Sequence, residues 1–204
     1  VIVTAGTFLN GMIHRGDERV EAGRVDEPPA KKLSLSLAGQ KLRMGRMKTG
    51  TPARLDKKTI DWSSLQVQPG DDPPKKFSFW DSEILLPQVP CHIVFTNART
   101  HQVIQENLQR SALYGGQIKG IGPRYCPSIE DKIVKFADKD RHQVFLEPTG
   151  LAEENLMIYP NGLSTSLPAE VQLDFLRTIE GLEQVEIIRP GYAIEYDYVD
   201  PIQL

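Results

Sequence analysis

Gly122-Pro123-Arg124-Tyr125-Cys126-Pro127-Ser128-Ile129-Glu130-Asp131-Lys132-Ile133-Val134-Lys135-Phe136 passes from a loop into a helix. Ser128 is a suitable N-cap, and Asp131 stands three residues on, where a capping box places Glu or Gln. Ile129, Ile133, Val134 and Phe136 recur at helical spacing and predict a helix over about 129–137. Cys126 then lies just outside the first turn, beside Arg124. The positive end of a helix and a neighbouring cation favour a thiolate over a thiol, so Cys126 is the candidate reactive residue. The same position also suits a small buried cysteine filling a loop corner.

Outward from this segment the chain alternates short strands and helices without a regular βαβ rhythm. Val1-Ile2-Val3-Thr4-Ala5-Gly6-Thr7 reads as an apolar strand ending in a small-residue turn. Pro28-Pro29-Ala30 forbids helix and marks a connection. Residues 31–39 suggest a short helix, 41–47 an edge strand, and Thr49-Gly50-Thr51-Pro52 a tight turn with backbone donors suited to an anion. Residues 56–90 are a proline-rich excursion carrying Trp62, Phe77, Phe79 and Trp80, of the length that functional or mobile loops have. A strand at 91–96 is followed by a helix to about Arg110 capped by Thr96 or Asn97. Strands follow at 142–148 and 157–160, then a helix capped by Ser166 with Pro168 in its first turn, and a strand at 185–188. This mixture predicts an α/β to α+β fold.

The 204 residues are 40% apolar and 25% charged, enough for one sizeable core or two modest ones. No apolar run reaches the length of a membrane span, and no signal peptide is visible. The chain does not open on methionine and reads as an internal piece of a longer protein. Cys91 and Cys126 form no CxxC pair, which fits a reducing compartment. His14, His92, His101 and His142 show no ligand spacing, so no metal site is expected. Cys91 lies beside His92 in a strand, where neighbours point to opposite faces, and is expected to be structural. The net charge is −3, yet residues 31–58 hold nine basic side chains against Asp56 alone. Such a patch suits phosphate binding, or is simply a solvated basic face.

Three long motifs in this order, Gly45-Arg46-Met47-Lys48-Thr49-Gly50-Thr51-Pro52-Ala53-Arg54, the Gly122–Phe136 segment and Arg189-Pro190-Gly191-Tyr192-Ala193-Ile194-Glu195-Tyr196-Asp197, resemble the MnmG (GidA) family. Its members are flavoenzymes that modify the wobble uridine of certain tRNAs. The resemblance covers essentially the whole chain. It implies FAD-dependent, NADH-dependent addition of a carboxymethylaminomethyl group at C5, with methylenetetrahydrofolate as one-carbon donor, in a homodimer complexed with the GTPase MnmE. It further implies a mixed insertion domain (41–188) flanked by strands of a Rossmann-type FAD-binding domain (1–40 and 189–204). The location would be cytoplasmic, or mitochondrial in a eukaryote.

Residue by residue, the resemblance places Gly122 through Phe136, that is Gly122, Pro123, Arg124, Tyr125, Cys126, Pro127, Ser128, Ile129, Glu130, Asp131, Lys132, Ile133, Val134, Lys135 and Phe136, at the NADH site. Arg124 and Lys132 would partner phosphate or carboxylate. Gly6 and Ala30 would touch the flavin, although a serine is usual where Ala30 stands. Cys126 would add to C6 of the uridine or handle a proton at C5. Arg46, Lys48 and Arg54 are assigned to tRNA or cofactor phosphates, with structural capping the alternative for Arg46 and Lys48, and Tyr125 either to stacking on a base or nicotinamide or to a core position with its hydroxyl bonded. The alternatives are a folate- and FAD-dependent tRNA uridine-5-methyltransferase and a non-catalytic tRNA- or nucleotide-binding module.

Overall fold

A computed structural model describes residues 2–80, 83–123, 126–151 and 156–203. Along these residues run β1 (Met12–Arg15), β2 (Glu18–Glu21), α1 (Lys31–Gly39), β3 (Met44–Thr51), β4 (Arg54–Asp56), β5 (Gln66–Gln68), β6 (Cys91–Phe95), α2 (Ala98–Glu106), α3 (Ile129–Lys135), β7 (Gln143–Pro148), β8 (Met157–Asn161), α4 (Ala169–Leu176), β9 (Ile187–Arg189) and β10 (Tyr192–Val199). They form a mixed α/β fold with two antiparallel sheets, one in the order β5-β6-β7-β8-β4-β9 and one in the order β2-β1-β10-β3.

The larger sheet carries the main core. Leu55, Val94, Val144, Leu146 and Ile158 from its strands meet Ile104 of α2, Ile129 and Ile133 of α3, and Val171, Phe175 and Leu176 of α4. Fully burying a side chain of this size contributes about 1.5–3 kcal/mol, so this cluster dominates the stability of the chain. Its helices start as the sequence suggests in two cases. Asn97 caps α2 in a capping box with Thr100, and Ser128 caps α3 in one with Asp131.

The smaller sheet buries far less. Ile13, Ala22 and Ile194 form one apolar cluster, flanked by Val25 and Tyr192. Its central strand β10 pairs along its whole length with β3, Tyr192 opposite Thr51 and Val199 opposite Met44. On the other side, Met12, Ile13 and His14 of β1 face Glu195, Ile194 and Ala193. The sheet therefore draws strands from residues 1–40, 41–188 and 189–204.

Several local expectations change. Residues 2–5 lie in no strand, and Ile2 is 91% exposed, because no described strand runs alongside to take their hydrogen bonds. Thr49-Gly50-Thr51 is not a turn with free donors; it continues β3, because Ile194, Ala193 and Tyr192 of β10 pair with it. Ser166 does not cap α4. Pro168 occupies that position without a side-chain cap, and Ser166 turns instead to Glu130. Residues 12–21, for which no element was expected, form the β1–β2 hairpin, whose turn has Gly16 at φ +53°; a Cβ there would lie 2.7 Å from Pro168 Cγ. Within the excursion, Trp62 packs on the main core, while Phe77, Phe79 and Trp80 are exposed.

Candidate active site around Cys126

The three motifs quoted above meet in space: ion pairs join the first to the third, and hydrogen bonds tie in the segment leading to Cys126. Arg46 of β3 donates from Nη1 to the Asn10 carbonyl at 2.9 Å and to Asp197 Oδ1 at 2.7 Å, and its Nε lies 3.5 Å from Glu195 Oε2. Glu195 in turn accepts the backbone N–H of Lys119 at 3.0 Å and of Gly120 at 2.5 Å. The strap leading to Cys126 is thereby fixed against β3. There Ile121 donates to the Arg46 carbonyl at 3.2 Å and accepts from the Lys48 N–H at 3.1 Å, a parallel bridge along the exposed edge of the sheet. Gly120 suits this close approach, since a Cβ there would meet Met47 C at 3.0 Å and Glu195 Cγ at 3.1 Å.

Beyond the strap a cavity of about 260 Å³ opens, lined by Lys48, Ile121, Gly122, Pro123, Cys126, Asp131 and Lys135 among others. Cys126 is half-buried, and its Sγ shares a hydrogen bond with Thr49 Oγ1 at 3.3 Å. Lys48 is buried, so its ammonium group faces low-dielectric surroundings. Asp131 accepts from the Ser128 N–H and Oγ at 3.3 and 3.2 Å and pairs with Lys135 at 2.8 Å. Burial would push its carboxyl upward, but Lys135, the Ser128 N–H and the charge of Lys48 outweigh that and hold it below the usual carboxylate range. Tyr114 donates to Asp131 at 3.3 Å, and burial, with Asp131 second, pushes its hydroxyl pKa up to about 12. The cavity thus presents one sulfur, two ammonium groups and an ionised carboxylate around a small volume, a set suited to nucleophilic or proton-transfer chemistry on an anionic or polar ligand.

Within Gly122–Phe136 the side chains divide. Gly122, Pro123, Cys126, Pro127, Asp131 and Lys135 line the cavity. Ile129 and Ile133 are in the main core, while Val134 and Phe136 are 43% and 47% exposed. Ser128 serves as the helix cap. Glu130 is buried, and its Oε1 accepts from Ser111 Oγ, Ser166 N and Ser166 Oγ at 3.0, 2.9 and 3.1 Å, anchoring α3 from below. Lys132 donates to the Gly162 carbonyl at 3.0 Å, and burial lowers its pKa. Arg124 and Tyr125 lie outside the described residues.

The other expected contacts are dispersed. Gly6, at φ +54°, lines a separate cavity of about 520 Å³ with Leu9, Leu37, Leu42 and Tyr196. Ala30 precedes α1 without a side-chain cap and donates its N–H to the Phe8 carbonyl at 2.7 Å. Arg54 stacks over Tyr159 at 4.3 Å, away from the Cys126 cavity. The basic run of 31–58 is partly neutralised, with Lys31 on Glu21, Arg43 on Asp200 and Arg46 on Asp197. Cys91 has its pKa raised by burial and then by Glu147. No group of three potential metal ligands occurs among the described residues. The sequence reading missed Thr49 and Glu195. The expected edge strand ended at residue 47 and Thr49 was read as part of a turn; only the continuation of β3 through Thr51 brings Thr49 to Cys126, and nothing local showed that contact.

The family model of glucose inhibited division protein A matches residues 1–204. The chain is 61% identical over 204 residues to the tRNA uridine 5-carboxymethylaminomethyl modification enzyme MnmG of Thermodesulfovibrio yellowstonii, covering all of this chain and 32% of that protein. It is 62% identical to the enzyme of the same name from Syntrophotalea carbinolica, covering 33% of it. GidA of Aquifex aeolicus, in its form I crystal, superposes with a TM-score of 0.88 at 59% identity over 99% of this chain and 34% of that one. The chain therefore spans about a third of the length of the curated relatives it matches. With a full-length family match, high identity and a shared fold, the chain belongs to the GidA (MnmG) family of tRNA uridine modification enzymes.

Proposed function

We propose that this chain contributes the Cys126 cavity to modification of the wobble uridine of tRNA at C5, the installed group being carboxymethylaminomethyl. The observation that carries the reading is the meeting of Lys48 and Cys126, from two motifs distant in sequence, at one cavity strapped to β10 by Glu195, with Thr49 hydrogen-bonded to the Cys126 sulfur. Cys126 acts on the uridine base, as nucleophile at C6 or as proton carrier at C5. In the first role the sulfur bonds to C6, the C5–C6 π pair moves to C5, and C5 becomes the nucleophile for a one-carbon unit. Loss of the C5 proton then expels the sulfur and restores the double bond. Lys48 and Lys135 supply positive charge for the enolate or for ligand phosphates, and Asp131 keeps Lys135 in place.

The proposal includes FAD, NADH and methylenetetrahydrofolate as cofactors and donor, a homodimer, the GTPase MnmE as partner and a cytoplasmic location. It also includes the reading of the four-stranded sheet as an edge of a Rossmann-type FAD-binding domain, with the six-stranded body inserted in it. The apolar cavity at Gly6, Leu37 and Tyr196 fits one face of a flavin ring, with Gly6 leaving open space where a Cβ would stand. The 260 Å³ cavity, with its two lysines, fits the pyrophosphate or nicotinamide portion of NADH rather than the whole dinucleotide. Bound flavin would supply redox chemistry; this chain's residues bind, orient and move protons.

The test is nucleoside mass spectrometry of tRNA from cells lacking the native activity, complemented by the full gene that encodes this chain or by its Cys126→Ser variant. Restoration by the parent alone supports the reading. Restoration by both removes Cys126 from the chemistry. Methylation at C5 of a T-loop uridine in place of the wobble product would favour the methyltransferase alternative.

A further inference from the structure

A second, separate cavity lies at the β4–β9 pair. Arg54 and Arg189 sit directly opposite each other in the antiparallel β4–β9 pair, an arrangement in which like charges repel. Arg54 is held rigidly: Nη1 donates to the Pro52 carbonyl at 2.5 Å, Nη2 to Thr51 Oγ1 at 3.0 Å, and the guanidinium plane lies over the Tyr159 ring at 4.3 Å. Burial works against its protonated form and lowers its pKa; Tyr159 and then Tyr192 oppose this, and the charge of Arg189 adds the smallest contribution in the direction of burial. Arg189 is exposed and makes no ion pair or side-chain hydrogen bond among the described residues. Both arginines line one cavity of about 450 Å³, closed by Arg24, Asp26, Pro190 and Tyr192. Arg24 is engaged by Glu27 through Nε at 2.7 Å. That leaves two arginines against Asp26, an exposed carboxylate without a partner among the described residues.

The geometry points to an oxyanion-binding site in which one phosphate-class group is held by the uncommitted guanidinium fork of Arg189 and by the charge and remaining N–H donors of Arg54, whose Nη atoms are partly engaged by Pro52 and Thr51. The bound group relieves the cross-strand repulsion that the two side chains otherwise carry, and planar forks suit bidentate contact with phosphate. The phosphate belongs either to a small phosphorylated molecule or to a polynucleotide backbone. Neither source depends on the reaction assigned to Cys126, whose cavity is separate.

Titration calorimetry with inorganic pyrophosphate, and filter binding of a tRNA transcript across a salt series, test this on the purified protein. Arg189 is at the exposed end of an edge strand, so Arg189→Ala leaves the fold intact. Arg54→Lys keeps the charge while removing the fork, and circular dichroism checks that it folds. Pyrophosphate binding that weakens about tenfold or more in Arg189→Ala and tightens in Asp26→Asn identifies a small-molecule phosphate. Binding of the transcript alone, with the salt slope falling by about one in Arg189→Ala, identifies a polynucleotide phosphate. Unchanged affinity for both probes in Arg189→Ala, or no binding of either probe to the parent protein, overturns the site.

Discussion

The six-stranded body and the four-stranded sheet are held together by different forces. In the body, three helices press a continuous apolar layer onto the strands, from Leu55 through Leu146 and Ile158 to Phe175. In the smaller sheet two small apolar clusters, Ile13 with Ala22 and Ile194, and Ala193 with Ala112 and Ile118, suffice, because Arg46, Glu195 and Asp197 cross-link strands and strap with charge-assisted bonds. Apolar packing is non-directional and fixes a body, whereas charged hydrogen bonds have direction and fix individual backbone groups. The candidate chemistry sits against the second kind of structure, where placing the Cys126 loop to within a fraction of an ångström matters more than burying area.

Breaking the body has the largest expected effect. Phe175→Ala removes a fully buried ring and should cost about 3–5 kcal/mol in denaturant unfolding, with loss of the whole cooperative transition at the low end of protein stability. Glu195→Gln keeps the shape but turns a donor toward Arg46 and His14, and should cost about 1.5–3 kcal/mol, read from the same unfolding curves. Ser128→Ala removes one cap bond and should cost about 1 kcal/mol, with the loss confined to α3 and the Cys126 loop.

The smallest effect is a titration. His14 lies in the charged network, buried, with neither ring nitrogen hydrogen-bonded among the described residues and Glu195 Oε2 3.6 Å away. Burial is the first cause that lowers its pKa from 6.5, and Glu195 only partly opposes it. His142 behaves alike, lowered by burial and then by His101. A histidine whose folded pKa is depressed binds its proton more readily when unfolded, so its contribution is intact above about pH 6.5 and is lost as the pH falls below that value. Stability should therefore decline from pH 7 toward pH 5, and His14→Gln should flatten that limb.

Much of the body was legible in the sequence because its signals are local. Asn97 and Ser128 announce their helices, and the apolar residues of 91–95 and 143–148 announce buried strands. The smaller sheet was not, since its strands are short or polar and pair across the length of the chain: β1 with β10, and β10 with β3. Thr49-Gly50-Thr51 carries turn residues, yet a full-length partner strand overrode that preference. The site was half legible. Cys126 stood out from its own neighbours, but its contact with Thr49 and the burial of Lys48 follow from the strap that Glu195 holds, a long-range effect that no spacing reveals.

The most direct test of this division is native-state hydrogen exchange of Glu195→Gln against the parent protein. The account predicts that the amides of Lys48, Lys119, Gly120 and Ile121 exchange at least tenfold faster in the variant, while those of Val144, Leu146 and Ile158 keep their protection. Equal acceleration in both regions, or none at the strap, would contradict it.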